Sequence, residues 1–243
     1  MGIMRILMTP ELTRVWQRPL YMAGFDIVTC PYDRDTLLRA TSLEAPDIIL
    51  LNALLFGLDA ATAARALCAM PLTKMPALLA LFPGSPEEAM TRAEEAGAIV
   101  LCTARLTAEG LTARCQSLAL HDRLLPDFAR PERVERALRA LSISEKSAAF
   151  CYLAEAVALC ARDQDCFRKL SRLVYPEIGQ KYNTAPTSVE RLIRHAIESA
   201  WLRGDMEQQY ALFGNTVDEQ RGKPTNGEFI ARVTEALRLE AIL

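Results

Sequence analysis

The stretch LVYPEIGQKYNTAPTSVERLIRHAIESAWLRGDMEQQYALFGNTVDEQRGKPTNGEFIARVTEALRLE, Leu173 to Glu240, decides how this chain is read. Within it, residues 186–203 place Val189, Leu192, Ile193, Ala196, Ile197, Ala200 and Trp201 at the three- and four-residue spacing of one apolar helix face. The opposite face carries Arg191, Arg194 and Glu198, flanked by Glu190 and His195, and Gly204 closes the helix. Ahead of it Leu170, Leu173, Val174 and Ile178 repeat the spacing as far as Lys181 and Tyr182. Only Asn183, Thr184 and Ala185 separate the two patterns. Two amphipathic helices joined this tightly can share one core while the second turns its polar strip outward. That is the outline of a helix-turn-helix, which places its second helix in a DNA major groove. Arginine suits such a strip, because its guanidinium pairs with O6 and N7 of guanine. A solvated helix face with ion pairs such as Glu190–Arg194 has the same spacing, so spacing alone leaves both readings open.

Upstream the rhythm is different. Short apolar runs at 5–9, 26–30, 47–51, 77–81 and 99–102 read as strands. Helical patterns lie between and after them, near 11–23, 33–43, 59–69, 85–96 and 107–120. Ser85-Pro86-Glu87-Glu88 is a helix start: a capping serine, a proline in the first turn, then acids at the positive end of the dipole. Strands alternating with helices imply parallel βαβ crossovers. The expected fold class is therefore α/β plus all-α. A flavodoxin-like doubly wound domain, strand order 2-1-3-4-5, occupies residues 1–120. A linker ending in a short helix follows over 121–143, where LLPDFARPERVERALR (124–139) holds two prolines and a dense run of charge. Residues 144–243 form a helical bundle containing the helix-turn-helix, with helices near 145–161, 165–180, 185–203, 206–213 and 225–240.

The chain has 243 residues, 51% of them apolar, and a net charge of −2. No whole-chain basic field draws it to nucleic acid. Residues 141–243 carry 13 Lys and Arg against 14 Asp and Glu. DNA affinity must then rest on a few positioned side chains and weaken with salt. Seven cysteines lie scattered, mostly in apolar runs and with no CxxC pair, as free buried thiols of a reducing compartment do. The apolar run at the N-terminus is too short for a signal peptide, and no stretch offers the ~18 unbroken apolar residues of a membrane span. A cytoplasmic protein is expected, associated with the nucleoid when on DNA. No nucleophile–base pair, Gly-rich phosphate loop or metal-ligand spacing appears, so neither enzyme activity nor a cofactor or metal is expected.

Pro46-Asp47-Ile48-Ile49-Leu50-Leu51-Asn52 and Gly97-Ala98, in this βα series, resemble the receiver domains of response regulators. The resemblance implies a chemistry. An aspartate ending the third strand takes a phosphoryl group, and acids after the first strand hold Mg²⁺, which prefers carboxylate oxygens. A hydroxyl ends the fourth strand and a lysine the fifth. Here the acceptor position reads Asn52, the acidic pair Pro10-Glu11, the hydroxyl position Ala80 or Leu81, and the lysine position Ala104. A proline usual beyond the acceptor is Phe56. An amide is no carboxylate nucleophile. The resemblance thus implies a degenerate site that neither binds Mg²⁺ tightly nor accepts a phosphoryl group.

YPEIGQKYNT, VERLIRHAIESAW, RG, LFGNTV, KPTNGEFIA and LRLE together resemble the C-terminal DNA-binding domain of the stage 0 sporulation protein A family. That family also places a receiver in front. The resemblance implies that 186–203 is a recognition helix reading a short operator in the major groove of double-stranded DNA, as a homodimer. Glu190, Arg191, Arg194 and His195 match the family's VERAIRH pattern, and Lys223 matches a position suited to a phosphate contact. Ser188 stands where the family usually has arginine, and Lys146-Ser147-Ala148-Ala149 stands where it has HIKG, so contacts there are altered. The function implied is a sequence-specific transcription regulator that acts without phosphorylation. The alternative is an interaction protein that pairs with another response regulator through its receiver relic and reads no DNA.

Overall fold

The computed structural model describes residues 3–31, 33–53, 59–84, 87–214 and 222–240. The chain divides into two compact units, Met1–Pro126 and Asp127–Leu243. In the first, strands β1 (Arg5–Met8), β2 (Asp26–Thr29), β3 (Ile48–Asn52), β4 (Ala77–Phe82) and β5 (Ile99–Cys102) alternate with helices. These are α1 (Pro10–Met22), α2 (Arg34–Glu44), α3 (Ala60–Cys68), α4 (Glu87–Glu95) and α5 (Ala108–Gln116). The described residues form one five-stranded sheet, all parallel, in the order β2-β1-β3-β4-β5, as the alternation predicts.

The central strands read IILLN and ALLALF, apolar on both faces because helices cover both. Strand alternation then divides them between two cores. Leu7, Ile49, Leu51, Leu78, Ala80 and Phe82 pack with Ala63, Ala64 and Leu67 of α3. Ile6, Met8, Leu50, Leu79 and Leu81 pack with Leu12 and Leu20 of α1 and Leu111 and Cys115 of α5. Truncating one such leucine to alanine costs about 2–5 kcal/mol. Asp33 caps α2 by accepting from the Thr36 amide at 3.0 Å, and Asp59 caps α3 through Thr62 at 2.7 Å. The helix start expected at Ser85-Pro86 lies outside the described residues, as does Phe56; α4 is described from Glu87, with Glu87 and Glu88 in its first turn.

The short helix expected within 121–143 is present, and the residues ahead of it are packed rather than a free linker. Arg123 and Leu124 belong to the first unit. The Leu124 amide donates to the Pro76 carbonyl at 3.1 Å, and its side chain is buried in the sheet core. Beyond it, α6 (Pro131–Ala140) buries Val134, Ala137 and Leu138 and packs on α7 (Ala148–Arg162) and α11 (Asn226–Arg238). Its charges, among them Glu132, Arg136 and Arg139, occupy the exposed face. The dense charge is thus the outside of an amphipathic helix.

In the second unit α7 is the hub: Leu153, Ala156, Val157 and Cys160 are fully buried, and α6, α8 (Tyr175–Lys181), α9 (Pro186–Arg203) and α11 pack around it. The single helix expected over 165–180 is broken into a 3₁₀ turn (Gln164–Arg168), a π turn (Leu170–Val174) and α8. Pro176 explains the break, since it has no N–H to give the preceding turn and its ring crowds the carbonyl four residues back. Between α9 and α11, α10 (Met206–Phe213) brings Phe213 against Phe229, ring centroids 5.6 Å apart, with Trp201 edge-on to Phe213 at 4.9 Å. No described helix is long and apolar enough to cross a membrane.

Candidate nucleic-acid interface

The α8–α9 junction is a tight turn. Ile178 and Gly179 accept at their carbonyls from the amides of Tyr182 (2.9 Å) and Thr184 (2.8 Å). Asn183 takes φ +50° between them, a conformation asparagine tolerates. Proline opens α9, preset for helical φ. Val189, Ile193, Ile197 and Ala200 are buried along one face, while Arg191, Arg194 and His195 are exposed on the other. Glu190 and Ser188 are half-buried; the Ser188 amide donates to the Ala185 carbonyl at 2.9 Å.

Two polar rows run along α9. Glu190, Arg194 and Glu198, each four residues apart, line a cleft of about 510 Å³ with Tyr175, Lys223 and Asn226. Asn226, at the start of α11, donates from Nδ2 to the Tyr175 hydroxyl (3.2 Å) and to the Glu190 carbonyl (3.1 Å), fixing the cleft floor. Arg194 lies 3.7 Å from Glu190. Lys223 does not stand free for a phosphate: its ammonium donates to Glu198 Oε1. Glu198 Oε2 also lies 3.2 Å from His195 Nδ1. The hydrogen bond from Lys223, with a smaller contribution from His195, holds the Glu198 carboxyl below the usual carboxylate range. On the other flank, Arg191 and His195 form the second row, and Ser147, Ala148 and Ala149 border a hollow of about 260 Å³ with Leu192 and His195. Ser147–Ala149 of the Lys146–Ala149 stretch therefore reach the side of α9.

Sequence reasoning missed Glu198 as a hub and Asn226 and Tyr175 as its frame. Glu198 was legible as an acid on the polar face, but its tie to Lys223 spans 25 positions, and no local spacing reports it.

In the first unit the positions singled out for phosphoryl chemistry fall at the carboxyl edge of the sheet. Pro10 and Glu11 open α1 after β1 and are exposed. Asn52 is the last residue of β3, half-buried, and pairs in register with Leu81 of β4. Leu81 is buried in the core under α1 and α5. Ala104 is exposed in a 3₁₀ turn (Thr103–Arg105), where the Thr103 hydroxyl donates to the Phe82 carbonyl at 3.0 Å. The four singled-out positions, Pro10-Glu11, Asn52, Leu81 and Ala104, offer one carboxylate, one amide and apolar groups. Such a donor set does not suit Mg²⁺, which is held through carboxylate oxygens. Among the described residues no three His, Cys, Asp or Glu side chains are grouped to hold a metal ion.

A doubly wound unit of receiver-type topology thus precedes a helical unit carrying a helix-turn-helix. Residues 130–237 match the family described as Sporulation initiation factor Spo0A C terminal. Residues 130–237 are thus a Spo0A-type DNA-binding effector domain, carried behind a receiver-like unit. Solved structures similar to the chain include a receiver domain from Bermanella marisrubri (20% identity, 48% of this chain and 98% of that chain, TM-score 0.43). Chemotaxis response regulator CheY4 of Vibrio cholerae is another (17%, 47% and 98%, TM-score 0.42). Full-length FixJ from B. japonicum is similar over more of the chain (15%, 90% and 100%, TM-score 0.43).

Proposed function

We propose that the chain is a sequence-specific DNA-binding transcription regulator of the sporulation-initiation type that acts without phosphorylation. The observation that carries this reading is the exposure of Arg191, Arg194 and His195 on one α-helix seated by a tight turn. In this reading α9 enters the major groove of operator DNA, and Arg191 and Arg194 read guanine edges. Glu190, buttressed through its carbonyl by Asn226, accepts from cytosine N4. His195 contacts a base or phosphate at the margin, and Lys223 meets a phosphate once it leaves Glu198. Ser188, short and uncharged, gives up the reach of an arginine, which weakens readout at one base pair by roughly 1–3 kcal/mol. The protein binds as a homodimer on tandem half-sites.

The receiver-type unit acts as a relic in this account. Asn52 supplies no nucleophilic carboxylate, and Pro10, Leu81 and Ala104 supply neither acid, hydroxyl nor ammonium. Its role is then contact with a second copy or with another response regulator. The acidic partner on Lys223 and the serine at 188 favour the second reading, in which the chain pairs with such a regulator and reads no DNA itself.

Fluorescence anisotropy with the full chain separates the two. A duplex carrying the sporulation family's operator and a scrambled duplex are titrated at fixed salt. Tighter binding to the operator supports the regulator; equal weak binding to both favours the interaction protein.

A further inference from the structure

Glu190, Arg194, Glu198 and Lys223 form a ladder of alternating sign along the cleft beside α9. Arg194 is 3.7 Å from Glu190, and Lys223 is hydrogen-bonded to Glu198. Each cation on this side of the helix has a carboxylate where a phosphate oxygen would otherwise sit. The two ties differ. Glu190–Arg194 lies within one helix and is the ordinary pairing of an exposed face. Glu198–Lys223 joins α9 to the segment entering α11, across 25 positions, with Glu198 only 29% exposed. Glu198 also holds His195 at 3.2 Å, so one carboxylate engages two of the side chains proposed above to meet DNA.

We propose that Glu198 is an intramolecular competitor for DNA phosphate: it occupies Lys223 in the free protein and so lowers the chain's sequence-independent affinity for DNA. The inference rests on the reading of α9 as the DNA-entering helix and goes beyond it, because it assigns a task to an acid. A phosphate gains Lys223 only by displacing a carboxylate already bonded to it. The counterion released by that contact is then partly offset, since the lysine was neutralised beforehand. Sequence-independent binding consists almost wholly of such contacts, so it bears the full effect. The second unit carries no net positive charge to compensate, with 17 basic against 17 acidic side chains over 127–243.

The test uses the full chain and its Glu198→Gln, Lys223→Met and doubly substituted variants. Affinity for the scrambled duplex is measured across a salt series, with thermal melting as the check on folding. Glutamine keeps the shape of the side chain and removes its charge. Glu198→Gln is expected to bind the scrambled duplex roughly fivefold tighter, with a salt slope steeper by about one unit. Both gains are expected to vanish when Lys223→Met is added. Unchanged or weaker binding by a folded Glu198→Gln overturns the proposal. So does a gain that survives in the double variant, because net charge alone would then account for it. Discrimination of operator from scrambled duplex by the wild-type chain is the separate check on the reading beneath. If neither wild type nor Glu198→Gln binds either duplex at low salt, both fall.

Discussion

Gly179 and Thr184 meet across the turn between α8 and α9 so closely that a Cβ on Gly179 would stand 2.7 Å from the Thr184 carbonyl oxygen. The Thr184 amide is already bonded to the Gly179 carbonyl at 2.8 Å, so the two backbones are clamped. Any side chain at 179 pushes the turn open and tilts α9 away from α8. Gly179→Ala is expected to destabilise the second unit by about 1–3 kcal/mol, the usual range for overpacking. Thermal melting followed by circular dichroism reads this. An unchanged midpoint would mean that the turn yields.

Arg194 is exposed, and its pairing with Glu190 at 3.7 Å is of the surface kind, worth a few tenths of a kcal/mol. Arg194→Ala should therefore melt like the parent chain. Operator affinity should nonetheless fall by about 1–3 kcal/mol, roughly ten- to hundredfold, with relaxed preference at one base pair. Unaltered affinity would place DNA against another face of the unit.

Asn52→Asp places a carboxylate at the end of β3 and leaves Pro10, Leu81 and Ala104 as they are. Pro10 cannot ligate a cation, Leu81 beside it in the register is buried hydrocarbon, and Ala104 offers no ammonium. Incubation of this variant with Mg²⁺ and a small-molecule phosphodonor should yield no acid-labile phosphoprotein. Robust labelling would show that the edge still supports the chemistry.

Thiol reactivity follows burial. Of the seven cysteines only Cys102 and Cys151 are exposed. Burial holds Cys30 and Cys115 up to about 11 and raises Cys160 further, so their nucleophilic thiolates are scarce at neutral pH. A maleimide at pH 7 should modify two sites rapidly and the other five only after denaturation. Rapid modification of Cys160 in the native chain would contradict the packing of α7.

The elements that sequence disclosed are those whose pattern is local. IILL and ALLAL announce strands buried on both faces, and Val189, Ile193 and Ile197 announce α9, because a four-residue spacing is visible in a short window. What escaped depends on partners far along the chain. The charged run at 131–139 reads as a short helix ending a linker, but not as a packed one: α7 and α11 supply the surface that Val134, Ala137 and Leu138 cover. Pro176 was legible as a residue, but whether it ends a helix or diverts it into a π turn is decided by the packing around Val174 and Tyr175, both buried. Lys223 was legible as a cation, while its bond to Glu198 was not. Residues 54–58, between the strand bearing Asn52 and the helix capped by Asp59, lie outside the described residues.

The central claim is that DNA binding needs no phosphoryl group on the receiver-type unit. Its most direct test is the operator affinity of the full chain before and after incubation with Mg²⁺ and a small-molecule phosphodonor. Operator binding is expected in the untreated sample, with superimposable curves for the two. An affinity that appears or rises only after phosphodonor treatment would contradict the account.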